Sequence, residues 1–123
     1  METLDNQIKP EKKTKLNFAD SKYATGRRKK SIARVWLKKG TGDVSINGKK
    51  MIEYFINPNL QTAVIRPLKV VKGENEFDVK ANVSGGGLSG QAGAIILGIA
   101  RALTAYDPNY KPSLKKEKLT TRD

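Results

Sequence analysis

The sequence contains neither cysteine nor histidine among its 123 residues. The absence of cysteine excludes a disulfide framework and a thiol nucleophile. Without histidine the chain also lacks the commonest metal ligand and the usual general base, so ordinary zinc sites and Ser-His or Cys-His hydrolysis are excluded. The length fits one domain that can bury a core without disulfides or a structural metal.

Long hydrophobic runs are missing as well. The longest, residues 92–103, is interrupted by Gly93, Gly98 and Arg101, and it is shorter than the ~20 residues that a membrane span needs. The first twenty residues have neither the apolar core of a signal peptide nor the arginine-rich pattern of a transit peptide. We therefore expect a soluble protein with a flexible extension over residues 1–20, a globular domain over 21–110 and a basic segment over 111–123.

Acidic residues are scarce relative to basic ones. Lysine and arginine number 24 against 12 aspartate and glutamate, for a net charge of +12. Residues 21–50 hold ten basic side chains and one acidic side chain, whereas residues 51–100 are balanced. A regional excess favours binding of a polyanion, with nucleic acid ahead of an anionic membrane. A lysine-rich surface that is merely solvated is the alternative interpretation.

Period-two alternation predicts strands over residues 31–37 and 77–83, each with apolar side chains on one face. After the first strand, glycines predict a turn at residues 40–42, and alternation resumes over 44–46. Asn47-Gly48 then supplies a dipeptide suited to positive φ, so a hairpin is predicted in this stretch.

From Leu88 to Tyr106 the apolar period changes to three and four, which predicts a helix. Its many small residues weaken helix propensity, so we expect close packing against a sheet to hold it. Shorter helices are predicted over residues 60–65, ending before Arg66-Pro67, and over residues 113–119. Strands and helices without an internal repeat indicate an α+β sandwich with the helices on one sheet.

Gly85, Gly87 and Gly90 match G-x-G-x-x-G between a predicted strand and a predicted helix. A dinucleotide site would need a further strand ending in a ribose-binding acid, and a P-loop would need lysine where Gln91 stands. Two interpretations stay open. The glycines form either a tight turn of structural purpose or an anion-binding turn whose free N–H groups face RNA phosphate.

Aromatic residues divide into two groups. Tyr23 lies near arginines in the sequence and is a candidate for stacking on unpaired bases. Phe55, Phe77 and Tyr106 have apolar spacing and are predicted to lie in the core. Trp36 fits either group.

Four ordered motifs carry a closer resemblance. They are YATGRRK at 23–29 followed by SIARV at 31–35, ING at 46–48, SGGGLSGQAGA at 84–94, and GIARAL at 98–103. In this order they resemble ribosomal protein nine of the small subunit, bacterial type, over about four-fifths of the chain. The resemblance implies the fold shared with the second domain of ribosomal protein five: a two-layer sandwich, helices on one mixed sheet, with a left-handed crossover.

The resemblance also implies a function. It implies a non-enzymatic constituent of the small ribosomal subunit, cytoplasmic or organellar, that needs no cofactor. This constituent binds ribosomal RNA in the subunit head, beside other head proteins, and supports translation near the peptidyl site. The residues expected against RNA are Arg27, Arg28, Lys29, Lys30, Arg34, Lys38, Lys39, Ser84, Gly85, Gly86, Gly87, Ser89, Gln91, Lys115, Lys116, Lys118 and Arg122.

One departure from the family pattern concerns transfer RNA. Family members usually continue past a segment like residues 119–123 into a long basic tail that reaches transfer RNA in the peptidyl site. The sequence stops at Asp123. Contact with transfer RNA is therefore expected only through that tail, and not of any residue present.

Two other functions compete with RNA binding as interpretations of the sequence. The fold that the resemblance implies is similar to a domain of some small-molecule kinases, so a phosphotransferase with residues 85–90 as its phosphate loop is the alternative. It would need a magnesium carboxylate and a base near that loop, for which the sequence offers Asp78 and more distant acids. A peripheral membrane protein would need a helix with a basic face and an exposed aromatic face, and no predicted helix combines them.

Overall fold

The computed structural model describes residues 21–73 and 75–117. The predicted extension over residues 1–20 and the last part of the basic segment, residues 118–123, lie outside the described residues. The elements in chain order are β1 (Lys22–Arg28), β2 (Ser31–Lys39), β3 (Val44–Ile46), β4 (Lys49–Lys50), α1 (Met51–Tyr54), α2 (Pro58–Val70), β5 (Phe77–Ser84), α3 (Leu88–Tyr106), a 3₁₀ turn (Pro108–Tyr110) and α4 (Lys111–Lys116).

The strands form one mixed sheet in the order β1-β2-β5-β3-β4. Neighbours are antiparallel except β3 and β5, which are parallel and are joined through α1 and α2. The sheet and its helices confirm the predicted α+β fold.

Both strands predicted from period-two alternation are confirmed. On β2, Ala33, Val35 and Leu37 are fully buried, and they lie in register with the buried face of β5. We call this the inner face, because α3 packs on it; the opposite face, which no described helix covers, we call the outer face. The alternation therefore separates a helix-covered face from a solvent-exposed one.

The predicted hairpin is present at Asn47-Gly48, which joins β3 to β4 with positive φ at both residues. Its position is fixed by the Asn47 side chain, whose Oδ1 accepts from the Val83 N–H (2.8 Å) and whose Nδ2 donates to the Val83 carbonyl (3.0 Å). The turn at residues 40–42 does not pair β2 with β3, because β5 lies between them.

Helix α3 packs very closely on β1 and β2, as its small residues predicted. A Cβ at Gly26 of β1 would collide with the Ala94 carbonyl, and a Cβ at Gly98 of α3 would lie 2.5 Å from Val35 Cγ2. The strand β1 was not predicted, because its small residues and its two charged ends give no alternation. It is held by seven residue pairs with β2 and by this contact with α3.

Helix α3 is also the described helix that is long and apolar enough to cross a membrane by length and composition. Half of the window that meets this test is buried in the domain. The middle of its apolar face, including Ile95 and Ile99, is fully buried, whereas Leu88 and Tyr106 at its ends are exposed. This burial pattern is that of a helix in the core of the domain.

Helix α2 is longer than predicted, and the expected end before Pro67 was wrong. The helix begins at Pro58, where the Asn57 side chain accepts from the Asn59 N–H (2.8 Å), and it continues through Pro67 to Val70. The proline is tolerated because its ring is buried beside Leu68, so packing offsets the missing N–H. Helix α4 begins two residues before the predicted start, and its Leu114 is fully buried.

Candidate nucleic-acid interface

The two-residue turn Lys29–Lys30, which we call the basic turn, and the glycine turn Gly85–Gly87 meet at one end of the sheet. They meet because Ile32, at the start of β2, is in register with Ser84, at the end of β5. Between them lies a cleft of about 380 Å³, which we call the turn cleft. Its lining residues are Lys29, Lys30, Ser31, Gly86, Gly87, Ser89 and Gly90.

Glycine is required at two positions of this turn. Gly85 (φ +81°) and Gly86 (φ +63°) both lie in the left-handed region that side chains disfavour. A Cβ at Gly85 would also collide with the Lys30 carbonyl, and one at Gly86 with Ser31 Oγ. The glycines thus allow the two turns to touch, which supports the structural interpretation of the turn.

Ser31 links the two turns. It is fully buried, and its Oγ donates a hydrogen bond to the Gly85 carbonyl (2.8 Å). The hydroxyl thereby has a partner in a place where an unpaired one would be costly. The basic turn and the glycine turn are consequently linked by a buried hydrogen bond.

Helix α3 begins at the turn cleft. Its N-cap is Gly87, and no side chain caps the first turn. The first N–H groups of a helix have no intrahelical partner and carry the positive end of the helix dipole. Together with Lys29 and Lys30, they make the cleft electropositive, so the anion-binding interpretation also stands.

Gln91 lies behind the turn rather than in the cleft. Its Nε2 donates to the Gly85 carbonyl (3.2 Å), and its Oε1 accepts from the Tyr54 hydroxyl (2.5 Å). The side chain therefore holds the glycine turn in place from α3. This supporting role was not predicted, because Tyr54 is 37 positions away in the sequence.

The predicted basic cluster of residues 27–30 divides among three places. Arg27 points to the outer face, in the same row as Ile32. The Arg28 side chain lies across α3, where a Cβ at Gly93 would collide with it. Lys29 and Lys30 line the turn cleft.

Other predicted RNA contacts lie far from the turn cleft. Lys38 and Lys39 end β2, roughly 23 Å along the strand from Ser31. Lys115 and Lys116 are exposed on α4, beyond the far end of α3, which is roughly 28 Å long. Lys118 and Arg122 lie outside the described residues.

Asp78 also lies at the end of the sheet away from the turn cleft. It accepts hydrogen bonds from the backbone N–H groups of Thr41 (2.9 Å), Gly42 (3.1 Å) and Asp43 (3.0 Å), and Lys38 Nζ lies 3.8 Å from it. Its burial raises the pKa, but these donors and the lysine charge lower the pKa of Asp78 below its ordinary value overall. This carboxylate organises the loop between β2 and β3 and is not placed to assist chemistry at the glycine turn.

The aromatic side chains divide between the core and the outer face of the sheet. Phe55 and Phe77 are buried in the core as predicted, whereas Tyr106 is partly exposed and packs edge-on against Phe77, with ring centroids 5.0 Å apart. Tyr23 and Trp36 lie together on the outer face, 5.1 Å apart.

Lys80 was not predicted as a site residue. Its ammonium lies 5.6 Å from the centroid of the Trp36 ring, because β5 pairs with β2 in that register. The sequence alone does not reveal this register, so only the charge of Lys80 could have marked it as a candidate site residue.

Comparison with known proteins agrees with the resemblance that the motifs carry. A family model described as ribosomal protein S9/S16 matches residues 26–123, which include the basic turn, the hairpin, the glycine turn and α3. Members of this family are located in the ribosome, where ribosomal RNA and other ribosomal proteins are their partners. With its sequence motifs, its α+β sheet and four-fifths of its length accounted for by that model, the chain belongs to the ribosomal protein S9/S16 family, a family of the small ribosomal subunit.

Proposed function

We propose that the domain is a structural, non-enzymatic component that binds ribosomal RNA in the head of the small subunit and seats an RNA phosphate in the turn cleft. The observation that carries the proposal is the convergence of Lys29, Lys30 and the start of α3 on one cleft. The backbone of Gly86 and Gly87 lets an RNA strand approach closely, because no side chain projects there.

The physical basis is phosphate neutralisation on a rigid frame. Lysine charges and helix N–H groups attract phosphate without regard to base identity. The hydrogen bonds of Ser31 and Gln91 to the Gly85 carbonyl hold the cleft in one shape. Selection of the RNA site therefore rests on RNA shape, since only certain folds place a phosphate there with room for the domain.

Further contacts follow from the family. Lys115 and Lys116, exposed on α4, reach a separate stretch of RNA, because the length of α3 separates them from the cleft. Neighbouring head proteins contact the remaining surface, and the domain supports translation near the peptidyl site. In this proposal, transfer RNA is touched only by a basic tail of the kind that family members carry.

The test compares two variants of equal charge. Lys29→Ala with Lys30→Ala removes two lysines from the cleft, and Lys69→Ala with Lys111→Ala removes two exposed lysines elsewhere. Affinity for a fragment of small-subunit ribosomal RNA is measured against salt concentration. We expect the cleft variant to lose about two units of the slope of log affinity against log salt. Equal losses in the two variants would show that only net charge matters and would contradict the proposed site.

A second readout uses assembled particles. The wild-type chain should co-sediment with small subunits, and its RNA crosslinks should include Lys29 or Lys30. Crosslinks confined to other parts of the chain would move the RNA-binding site away from the turn cleft.

A further inference from the structure

The outer face of the sheet aligns aromatic, basic and polar side chains in rows across the strands. The strand registers align Tyr23, Trp36 and Lys80 in one row across β1, β2 and β5. The next row holds Thr25, Arg34 and Asn82. Directly opposite side chains in a sheet lie about 5 Å apart, so each row is a continuous surface.

The first row presents aromatic rings at the surface. Tyr23 is 49% exposed although its ring packs against Trp36 at 5.1 Å and 47°. Lys80 places its ammonium on the Trp36 side of the pair. Rings held apart from the core by a sheet are a platform on which a planar base stacks with little loss of conformational entropy.

A cleft lies beside the platform, between Arg34 and Asn82 of the second row and Ile32 and Ser84 of the row that follows it. It has a volume of about 360 Å³ and is lined by Ile32, Arg34, Asn82, Val83 and Ser84. The Arg34 guanidinium makes no hydrogen bond or ion pair with another described residue. Arginine, amide and hydroxyl groups around an apolar wall are the groups that bind the edge of an unpaired base.

The positive charge of the outer face indicates which class of partner it fits. Arg27, Arg34, Lys38 and Lys80 are on it, and Asp78 is the acidic residue that β1, β2 and β5 contribute. Asp78 lies at one end and is already engaged by the β2–β3 loop. A positively charged surface with exposed rings is complementary to single-stranded RNA, which offers both phosphates and bare base faces.

We infer that the outer face is a second RNA surface that binds unpaired nucleotides, with one base stacked on Tyr23 and Trp36 and its neighbour in the cleft of Arg34 and Asn82. This inference rests on the proposed RNA-binding function. It differs from the turn cleft in what is recognised: the cleft takes a phosphate, whereas the outer face takes bases.

The test uses Trp36, the single tryptophan of the chain, as its reporter. The full chain is titrated with a single-stranded octauridylate or octaadenylate and, separately, with an RNA duplex of the same length. We expect the single strands to quench Trp36 fluorescence to saturation, and the duplex to leave it nearly unchanged. Equal quenching by the duplex would overturn the inference, because paired bases cannot stack on the platform.

Variants locate the surface. Tyr23→Ala should weaken binding of the single strand by about 5- to 150-fold, the loss of one stacked base, and Arg34→Ala should weaken it as well. Trp36→Phe keeps a ring and should bind more tightly than Trp36→Leu, with binding followed by anisotropy of a labelled strand. Arg66→Ala, which removes an exposed arginine from α2, is the control and should change the affinity less than 2-fold.

Two outcomes separate this inference from the proposed function. If the Tyr23 and Arg34 variants bind like the wild type while Lys29→Ala with Lys30→Ala abolishes binding, the turn cleft stands and the outer face is excluded. If the chain binds neither the single strand nor the ribosomal RNA fragment, the proposed function itself fails. In assembled small subunits, a crosslink from Tyr23 to a neighbouring protein instead of to RNA would also overturn the inference.

Discussion

Asp78 shows how one carboxylate fixes a loop. Its Oδ1 accepts from three consecutive backbone N–H groups, which would otherwise face solvent without a partner in the domain. Together with the nearby Lys38 charge, these donors favour the ionised form and hold the pKa of Asp78 below its ordinary value against the effect of burial. The contribution to stability is therefore present above the unfolded-state pKa near 3.9 and is lost as pH falls through the lower folded-state pKa.

We expect Asp78→Asn to lower the free energy of unfolding by about 1 to 3 kcal/mol at pH 7, because the charged acceptor is lost. The difference from the wild type should shrink as pH falls below about 4, where the wild-type carboxylate also becomes protonated. Denaturant unfolding at pH 7, 5 and 3 measures this. Asp43→Asn, on the same loop, is the matched control, and a pH-independent difference for Asp78→Asn would contradict the argument.

Two lysines adopt the left-handed backbone conformation. Lys29 (φ +56°) lies in the turn cleft, and Lys72 (φ +58°) follows α2, where the Lys72 and Gly73 N–H groups bond the carbonyls of Lys69 and Leu68. The arrangement at Lys72 is a Schellman motif, in which the residue at this position is usually glycine. Both lysines therefore cost backbone energy relative to glycine.

We expect Lys29→Gly and Lys72→Gly each to raise the free energy of unfolding by about 0.5 kcal/mol. Glycine relieves the backbone strain of the left-handed conformation, and this gain is only partly offset because glycine also has more conformational entropy in the unfolded chain. The two variants should differ in RNA binding, because only Lys29 lines the turn cleft. Thermal unfolding and affinity for the ribosomal RNA fragment measure the two effects. An equal loss of RNA affinity in both variants would mean that the position of Lys29 has no special role.

At the scale of elements, the contact of α3 with β1 and β2 determines the geometry of the turn cleft. The start of α3 lies beside the basic turn because the helix packs directly on β1 at Gly26, which is buried and has no side chain. Arg101 adds a hydrogen bond from α3 to the Thr25 carbonyl (3.0 Å). The close approach of helix and strand therefore depends on the missing side chains of Gly26 and Gly98.

We expect Gly26→Ala to lower the free energy of unfolding by about 3 kcal/mol, because its Cβ would collide with the Ala94 backbone and the helix would have to move. Gly87→Ala is the control: no heavy atom lies within 4 Å of its Cβ position, so the loss should be about 1 kcal/mol or less. Chemical denaturation compares the two. A loss for Gly26→Ala as small as that of the control would show that α3 moves easily.

The sequence predicted those elements whose burial has a regular period. β2, β5 and α3 were predicted because alternating or helical burial is visible in the residues themselves. β1 was not, since its small residues and charged ends show no alternation and its packing partner α3 lies about 60 to 80 positions away. The end of α2 was placed too early because buried packing at Pro67 outweighs the local preference against proline.

The candidate site was predictable to the same degree. Lys29, Lys30 and the glycine turn were identified from residue type and spacing. The supporting bond from Tyr54 to Gln91 and the row of Trp36 and Lys80 depend on strand order, which a single sequence does not contain.

At the scale of the whole molecule, the sequence has a net charge of +12, and among the described residues basic side chains lie at the turn cleft, on the outer face and on α4. If about six phosphates are neutralised, log affinity for ribosomal RNA should fall with log salt at a slope of roughly −4 to −5. The slope is measured by filter binding or fluorescence anisotropy at salt concentrations from about 50 to about 300 mM. A slope near zero would contradict an electrostatic mode of binding.

The position of β5 has a consequence for how the turn cleft, the proposed binding site, forms during synthesis. The first four strands are made as two local pairs, and β5, which begins 31 residues after the end of β3, joins them into one sheet. The turn cleft needs the β1–β2 turn from one end of this order and the glycines after β5 from the other. A nascent or truncated chain that ends before β5 has the lysines but no cleft, so it attracts RNA only through unspecific charge. If the turn cleft binds RNA as proposed, specific binding has to wait until β5 has joined the sheet.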